Sequence, residues 1–381
     1  MKNNQLVKIA QKLGTPIYIY NANTIKQKCK ELKQNLKGIN LYYACKANSN
    51  PEIIKIVYKE GFGIETVSPG EIAIAHKAGV PISKITFTCG SIDKNEIISV
   101  AKQGIRIHLD SLNQVEIFGK HFKGREVSVR LNLMVGAGHH SHVITGGPDS
   151  KFGIDISQIK ELKKLAHKYN LHVTGLHQHI GSNVLNAGTF LKGVKAMFDT
   201  AILFPELNHL DFGGGFGVPY RPEEKPFDVK KFAVDMKKQI ENFNKKYGKR
   251  IRISFEPGRY LVAESGSLLV KLTDIKYNPT KTFVGVNSGM NHLIRPAIYD
   301  SYHEIINISN PSGKKIKVTI AGNICESGDV FAKDRIITKP KIGDILEIKN
   351  TGAYGYAMSS EYNSRPKPKE FLMMGDKIKR I

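Results

Sequence analysis

The 381-residue chain contains no tryptophan. None of its apolar runs approaches the roughly 18 residues that a membrane-spanning helix needs. Met1 to Leu6 is polar and leads into an amphipathic stretch, so the N-terminus does not read as a signal peptide. The expectation is a cytoplasmic protein with no membrane partner. Cysteine is scarce: Cys29, Cys45, Cys89 and Cys325 stand apart, in neither CxxC nor metal-finger spacing. Four scattered cysteines in a chain this long argue for free thiols in a reducing compartment and against structural zinc. Acidic residues are few as well, 34 against 57 basic ones, for a formal charge of +23. Only 11 of the basic residues are arginine; 46 are lysine. Nucleic-acid surfaces favour the forked donors of arginine. Here the lysines are scattered on solvated faces such as Lys160 to Lys168. A lysine-biased composition accounts for the charge better than a nucleic-acid partner does. The basic field still attracts an anionic cofactor or substrate.

What the chain does have is alternation. Short apolar, β-branched runs occur at Leu41–Cys45, Gly63–Val67, Ile85–Thr88, Ile105–Leu109, Val127–Leu133, Leu171–Leu176, His209–Phe212 and Ile251–Phe255. Amphipathic stretches lie between them, including Pro51–Glu60, Ser68–Ala78, Asn95–Gln103, Ser111–Gly119, Ile156–Tyr169 and Phe227–Tyr247. Repeated βα units with eight strands predict an α/β fold, a closed (β/α)8 barrel. After about residue 262 helical patterns thin out, and Gly266–Ile275, Lys315–Ala321 and Asp344–Lys349 predict a second, mostly β domain. Pro16–Tyr20 is a further strand able to join that later sheet. The expected domains are a barrel over 21–261 and a β domain built from 1–20 and 262–381.

Barrel chemistry collects where strands end. The first strand runs into Tyr43-Ala44-Cys45-Lys46-Ala47-Asn48. A buried ammonium is costly, whereas a lysine in a Schiff base escapes that cost and becomes useful. A surface lysine just past the strand is an equal reading of Lys46 alone. His177-Gln178-His179-Ile180-Gly181-Ser182 follows another strand. Its histidine pair lacks a third ligand in local spacing, so metal is the weaker reading. An imidazole lying flat on a planar cofactor is the alternative. Asp211-Phe212-Gly213-Gly214-Gly215-Phe216-Gly217 lets backbone approach a phosphate closely, or is merely a turn; it is neither GxGxxG nor a Walker loop. Glu256-Pro257-Gly258-Arg259 ends the last barrel strand in a rigid turn, aiming Glu256 inward and Arg259 at an anion, unless the two form a surface ion pair. In the second domain, Cys325-Glu326-Ser327-Gly328-Asp329 sets a thiol beside a carboxylate, and a buried structural cysteine is the commoner fate of such a residue. Gly352-Ala353-Tyr354-Gly355-Tyr356 by itself is compatible with ordinary turn packing.

Taken in order, these segments resemble the alanine-racemase-like, fold-type III class of pyridoxal-phosphate enzymes, and within it the diaminopimelate decarboxylases. The match runs through Gly14-Thr15-Pro16-Ile17-Tyr18, YACKAN at 43–48, SKFGI at 150–154, HIGS at 179–182, GGGFG at 213–217, EPGRY at 256–260, GMNHLIRPAIY at 289–299, CESGDV at 325–330 and GAYGYAMSSEYNSRP at 352–366. Nine motifs in register span nearly the whole chain.

The resemblance implies decarboxylation of meso-2,6-diaminopimelate to L-lysine and CO2, the last step of lysine biosynthesis, with pyridoxal 5'-phosphate as cofactor and no metal. It implies that Lys46 binds the cofactor covalently, that Glu256 pairs with the ring nitrogen and that His179 stacks on the ring. Ser182, Gly213, Gly214, Gly215, Gly258 and Arg259 would hold the phosphate and its surroundings, and Tyr354 would reach the cofactor. Arg259, Arg295, Tyr299, Glu326 and Tyr354 would bind substrate, the guanidiniums suiting a distal carboxylate. Cys325 would donate the proton after CO2 leaves, from the neighbouring subunit of a two-fold homodimer with shared sites. Departures from the family pattern are Glu65 in place of Asp, Asn323 in place of Pro, and the histidine-rich Gly138-His139-His140-Ser141-His142. Other readings are a decarboxylase of ornithine, lysine or carboxynorspermidine, and a non-catalytic regulatory homologue. The last is disfavoured because Lys46, Glu256, Cys325 and Tyr354 are all present.

Overall fold

The computed structural model describes residues 2–136, 147 and 150–381. The histidine-rich segment 138–142 lies outside them. The chain divides into two units: Lys28–Val218 with Lys225–Gly258, and Met1–Gln27 with Pro219–Glu224 and Arg259–Ile381.

The first unit is the barrel. Its strands are β1 (Asn40–Ala44), β2 (Gly63–Thr66), β3 (Ile85–Thr88), β4 (Arg106–Leu109), β5 (Glu126–Asn132), β6 (His172–His177), β7 (His209–Asp211) and β8 (Arg252–Phe255). All neighbours pair in parallel, β8 with β1 and β4 with β5, so the eight strands close on themselves. The helices between them begin where the sequence supplies caps. Ser68 accepts from the Glu71 amide, Ser111 from that of Gln114, and Asp228 from that of Lys231. Each cap satisfies an amide left without a partner in the first turn. Gly248, at φ +83°, stops the long Val229–Tyr247 helix, which a residue bearing a Cβ would do at a strain. A further helix, Ala187–Ala201, packs Phe190, Val194 and Met197 inward.

The barrel's two sides differ in chemistry. Ile64, Phe87, Ile107, Val129, Leu176 and Leu210 are buried apolar positions on the strands. The residues that meet one another from strands that do not pair are polar. His108 on β4 lies 4.6 Å, ring to ring, from His177 on β6 and 6.1 Å from His209 on β7. Strands that are not neighbours touch only across the barrel's interior, so this set faces inward. Such barrels usually fill that space with branched aliphatic side chains.

The second unit is a nine-stranded β sheet. Ile17–Asn21 does join it, antiparallel to Gly266–Tyr277 and parallel to Lys369–Met374. Leu6, Ile9, Ile17, Ile19, Leu269, Ile308, Ile345 and Phe371 form its apolar core. The expected α/β class, an eight-stranded barrel with a second β-rich part, is the observed one.

Candidate active site

Strand β1 ends at Ala44, one residue before the expected end, because Cys45–Ala47 turns into a 3-10 helix. Lys46 therefore sits in the turn and not in the strand. Its Nζ is 2.7 Å from Oε2 of Glu65, whose side chain is 1% exposed at the end of β2. Glu65, noted in the sequence only as a departure, is the lysine's counter-charge.

Glu256 follows β8 and is buried. Its Oε2 lies 3.1 Å from His177 Nε2, and its Oε1 has no hydrogen-bond partner. Desolvation, then repulsion from Glu65, raises its pKa to about 8, against the pull of Lys46 and Arg130. Asp211, at the end of β7, is likewise pushed well up by burial and by Glu256, and its Oδ1 accepts the Gly213 amide at 2.9 Å. Burial, with the charges of Arg130 and Lys46, drives the His177 imidazole far down. His179 is lowered by the same causes. Burial thus favours the uncharged forms of Glu256, Asp211, His177 and His179, beside the Lys46–Glu65 and Arg130–Asp110 ion pairs.

Arg130 on β5 is that guanidinium. It lies 3.4 Å from Asp110 and 4.5 Å from the Phe152 ring centroid. Asp110 Oδ1 also accepts the Gly153 amide at 3.1 Å, tying the SKFGI segment to the barrel. His108, Asp211 and Glu256 each bring a potential ligand atom within 4.8 Å of the others.

The glycine run is dictated by close approach. A Cβ on Gly213 would lie 2.4 Å from the Gln178 carbonyl, one on Gly214 2.4 Å from that of Glu256, and one on Gly215 2.8 Å from that of Gly181. The glycines let the β7 loop rest on the HIGS loop and on the backbone of Glu256. Flanking phenylalanines anchor it: Phe216 and Phe190 rings are 5.0 Å apart, Phe212 and Phe255 5.5 Å. Ser182 follows Gly181 and is half-buried. Gly258 permits approach to β1, since its Cβ would be 2.9 Å from the Ala44 carbonyl.

The other expected site residues belong to the β unit. Arg259 begins a short helix, Arg259–Val262, and its Nη1 donates to the Tyr220 hydroxyl at 2.8 Å. Its guanidinium also stands 4.7 Å over the Tyr354 ring. Tyr354 has φ +56°, a costly conformation for a bulky residue and one that concentrates at functional sites. Arg295 opens the helix Arg295–Tyr299, whose last residue is Tyr299, and is 2% exposed. Cys325 and Glu326 lie on an exposed loop. Asp329 shapes that loop by accepting the amides of Ile324 at 2.7 Å and Met290 at 2.6 Å. The Cys325 amide donates to Asn363 at 2.8 Å.

Strand-end reading did not single out Glu65, Arg130, His108, Asp211 or His177 as working parts. His177 had a signal, as the first of the His-x-His pair. Arg130 and His108 had only the rarity of a charged or titratable residue inside an apolar strand.

A family described as pyridoxal-dependent decarboxylase, pyridoxal binding domain, matches residues 22–263. Diaminopimelate decarboxylase of Methanothermobacter thermautotrophicus is 39% identical over 384 residues, covering 98% of this chain and 90% of that protein. A crystal structure of diaminopimelate decarboxylase superposes with a TM-score of 0.92 at 31% identity, covering 98% of this chain and 92% of the other. The M. jannaschii diaminopimelate decarboxylase in complex with L-lysine gives 0.91 at 31% identity, over 98% and 91%. Similarity of that extent, over both units and not the barrel alone, places the chain in the diaminopimelate decarboxylase family of pyridoxal-dependent decarboxylases.

Proposed function

We propose that the protein is a carboxy-lyase that converts meso-2,6-diaminopimelate to L-lysine and CO2, in the cytoplasm, using pyridoxal 5'-phosphate. The observation that carries this reading is Glu256: a buried carboxyl raised to about 8, with one oxygen held beside His177 and the other open. An unsatisfied buried oxygen costs stability unless a ligand meets it. A protonated pyridine nitrogen is such a ligand, and the remaining donors suit the same group.

In this reading Lys46, Glu256 and His179 would hold the cofactor, Lys46 through its amine, Glu256 through its open carboxyl oxygen and His179 through its ring. Ser182, Gly213, Gly214, Gly215, Gly258 and Arg259 surround its phosphate. Because the Gly213 amide is engaged by Asp211, Gly213 contributes close approach more than a donor. Pyridoxal phosphate, when bound, supplies a sink for the electron pair released as CO2 departs. Glu65 keeps the Lys46 ammonium oriented. Glu256 would accept the ring N–H at Oε1 and so keep the ring nitrogen protonated. The low-lying imidazole of His179 stays neutral, so it adds no charge to the ring face.

Arg295, Arg259, Tyr299, Glu326 and Tyr354 take the substrate end that does not react. Cys325 returns a proton to the carbon that lost CO2. Its exposed position suits a thiol that serves the neighbouring subunit of a homodimer. Nucleic acid has no part in this scheme.

The test is CO2 release by the purified protein with added pyridoxal phosphate, comparing meso-diaminopimelate, L-lysine and L-ornithine. Release from meso-diaminopimelate with L-lysine as product is the expected result. Release from ornithine or lysine instead would overturn the substrate assignment and leave Lys46 in place. Cofactor binding without any turnover would favour a regulatory homologue.

A further inference from the structure

Arg295 is nearly enclosed, yet among the described residues no carboxylate lies within ion-pair distance of it. A buried cation without a counter-ion is expensive. Its support comes from neutral groups. Nη1 of Arg295 is 3.0 Å from Nε2 of His303, which is fully buried. The other ring nitrogen, Nδ1, is 2.8 Å from the Lys349 carbonyl oxygen. A carbonyl only accepts, so Nδ1 carries the ring's proton, and Nε2 presents a lone pair to the guanidinium. A doubly protonated ring would set N–H against N–H. Burial, then Arg295 itself, holds the imidazole down at about 3, so the neutral tautomer persists at any working pH.

Tyr220 completes the mounting. Its ring lies under the Arg295 guanidinium at 4.7 Å, while its hydroxyl accepts from Arg259 Nη1 at 2.8 Å. The His303 ring meets the Tyr220 ring edge-on at 5.2 Å. One tyrosine therefore touches both cations, by its π face and by its oxygen. Burial alone would raise the Tyr220 pKa, but the two guanidiniums outweigh it and bring the hydroxyl below its ordinary value.

A carboxylate beside Arg295 would neutralise it and would have to be displaced by any anionic ligand. An imidazole lone pair, a phenol oxygen and a π face fix guanidinium orientation without consuming the charge. We propose that His303 and Tyr220 are positioning residues that hold Arg295 and Arg259 as a preorganised receptor for a second substrate carboxylate, and so set a preference for a diacid over a mono-acid amino acid. This rests on the function proposed above. Preorganisation of this kind lowers the ordering cost paid on binding.

The experiment compares His303→Leu, His303→Gln and Tyr220→Phe with the wild type. It measures KM and kcat for meso-diaminopimelate, together with pyridoxal-phosphate affinity from cofactor absorbance and the melting temperature. Leucine removes the acceptor, glutamine restores an amide oxygen near the same place, and phenylalanine keeps the ring while deleting the hydroxyl. His303→Leu should raise KM about tenfold or more with kcat and cofactor affinity close to wild type, the scale usual for losing an orienting partner of a binding group. His303→Gln should recover part of that loss, and Tyr220→Phe should raise KM by a smaller factor. An unchanged KM in a folded His303→Leu or Tyr220→Phe protein would overturn the inference. So would equal falls in cofactor affinity, kcat and melting temperature without a KM effect, which mark a structural role only. Should His303→Leu fail to fold, the near-isosteric Tyr220→Phe decides. A wild type inert toward meso-diaminopimelate would instead overturn the functional reading beneath it, a separate result.

Discussion

The two units solve opposite electrostatic problems. Inside the barrel, carboxyls crowd together: Glu65, Asp211 and Glu256 share one interior with Lys46 and Arg130. Burial and mutual repulsion lift Glu256 and Asp211 toward their protonated forms, while Glu65 is spent on Lys46. In the β unit it is guanidiniums that crowd together. Arginine cannot surrender its proton at working pH, so Arg259 and Arg295 stay charged and are steadied by Tyr220, Tyr354 and His303. One unit stores protons and the other stores positive charge. The comparison teaches that a buried titratable group answers crowding by changing protonation when its pKa allows, and otherwise by recruiting neutral partners.

Removing Lys46 should have the largest effect. Lys46→Ala is expected to abolish CO2 release and the absorbance of lysine-linked cofactor together. A retained band would show that another amine holds the cofactor. Next comes the β unit's exposed thiol. Cys325→Ala should fold and bind cofactor, yet turn over about a hundred- to ten-thousand-fold more slowly, the range for losing a positioned proton donor. Full activity in that variant would assign the proton to another group. Mixing it with a Lys46→Ala partner should partly restore activity if sites are shared between subunits. That is read as CO2 release by the mixed dimer.

Smaller still is Arg295→Lys, which keeps the charge but loses the planar fork. KM for meso-diaminopimelate should rise about ten- to hundredfold with kcat much less affected. An unchanged KM would mean the β unit's cations do not read a carboxylate.

The mildest change probes the barrel's stored proton in cofactor-free protein. Glu256 binds its proton in the folded state up to about pH 8, whereas an unfolded carboxyl releases it near 4.5. Its contribution to stability is therefore complete below the unfolded value and lost as pH rises through about 8. The melting temperature should fall across that window, and Glu256→Gln should flatten the fall. An unaltered slope in the variant would place the titration elsewhere.

Much of this was legible along the chain. The βα alternation announced the barrel, and the strand ends carried Lys46, His179, the Gly213–Gly215 run and Glu256. Their partners were harder to see. Glu65 is one carboxylate among many until β2 is laid beside β1 and its oxygen falls 2.7 Å from Lys46. His177 and His108 are 69 residues apart in sequence and 4.6 Å apart in space because β4 and β6 both flank β5 and turn these side chains into the barrel. His303 offered no local signal at all. Its role depends on the Lys349 carbonyl and on Arg295, which come from a separate strand end and a separate helix.

The sequence by itself determined the element types, their order, the closing count of eight strands and the identity of the chemical groups. Those follow from local periodicity, caps and glycine placement, all written within a few residues of one another. Only the tertiary structure decided the ionisation of those groups and which of them touch. Protonation is set by burial and by charges arriving from distant strands, and neither quantity exists until the barrel closes and the sheet assembles.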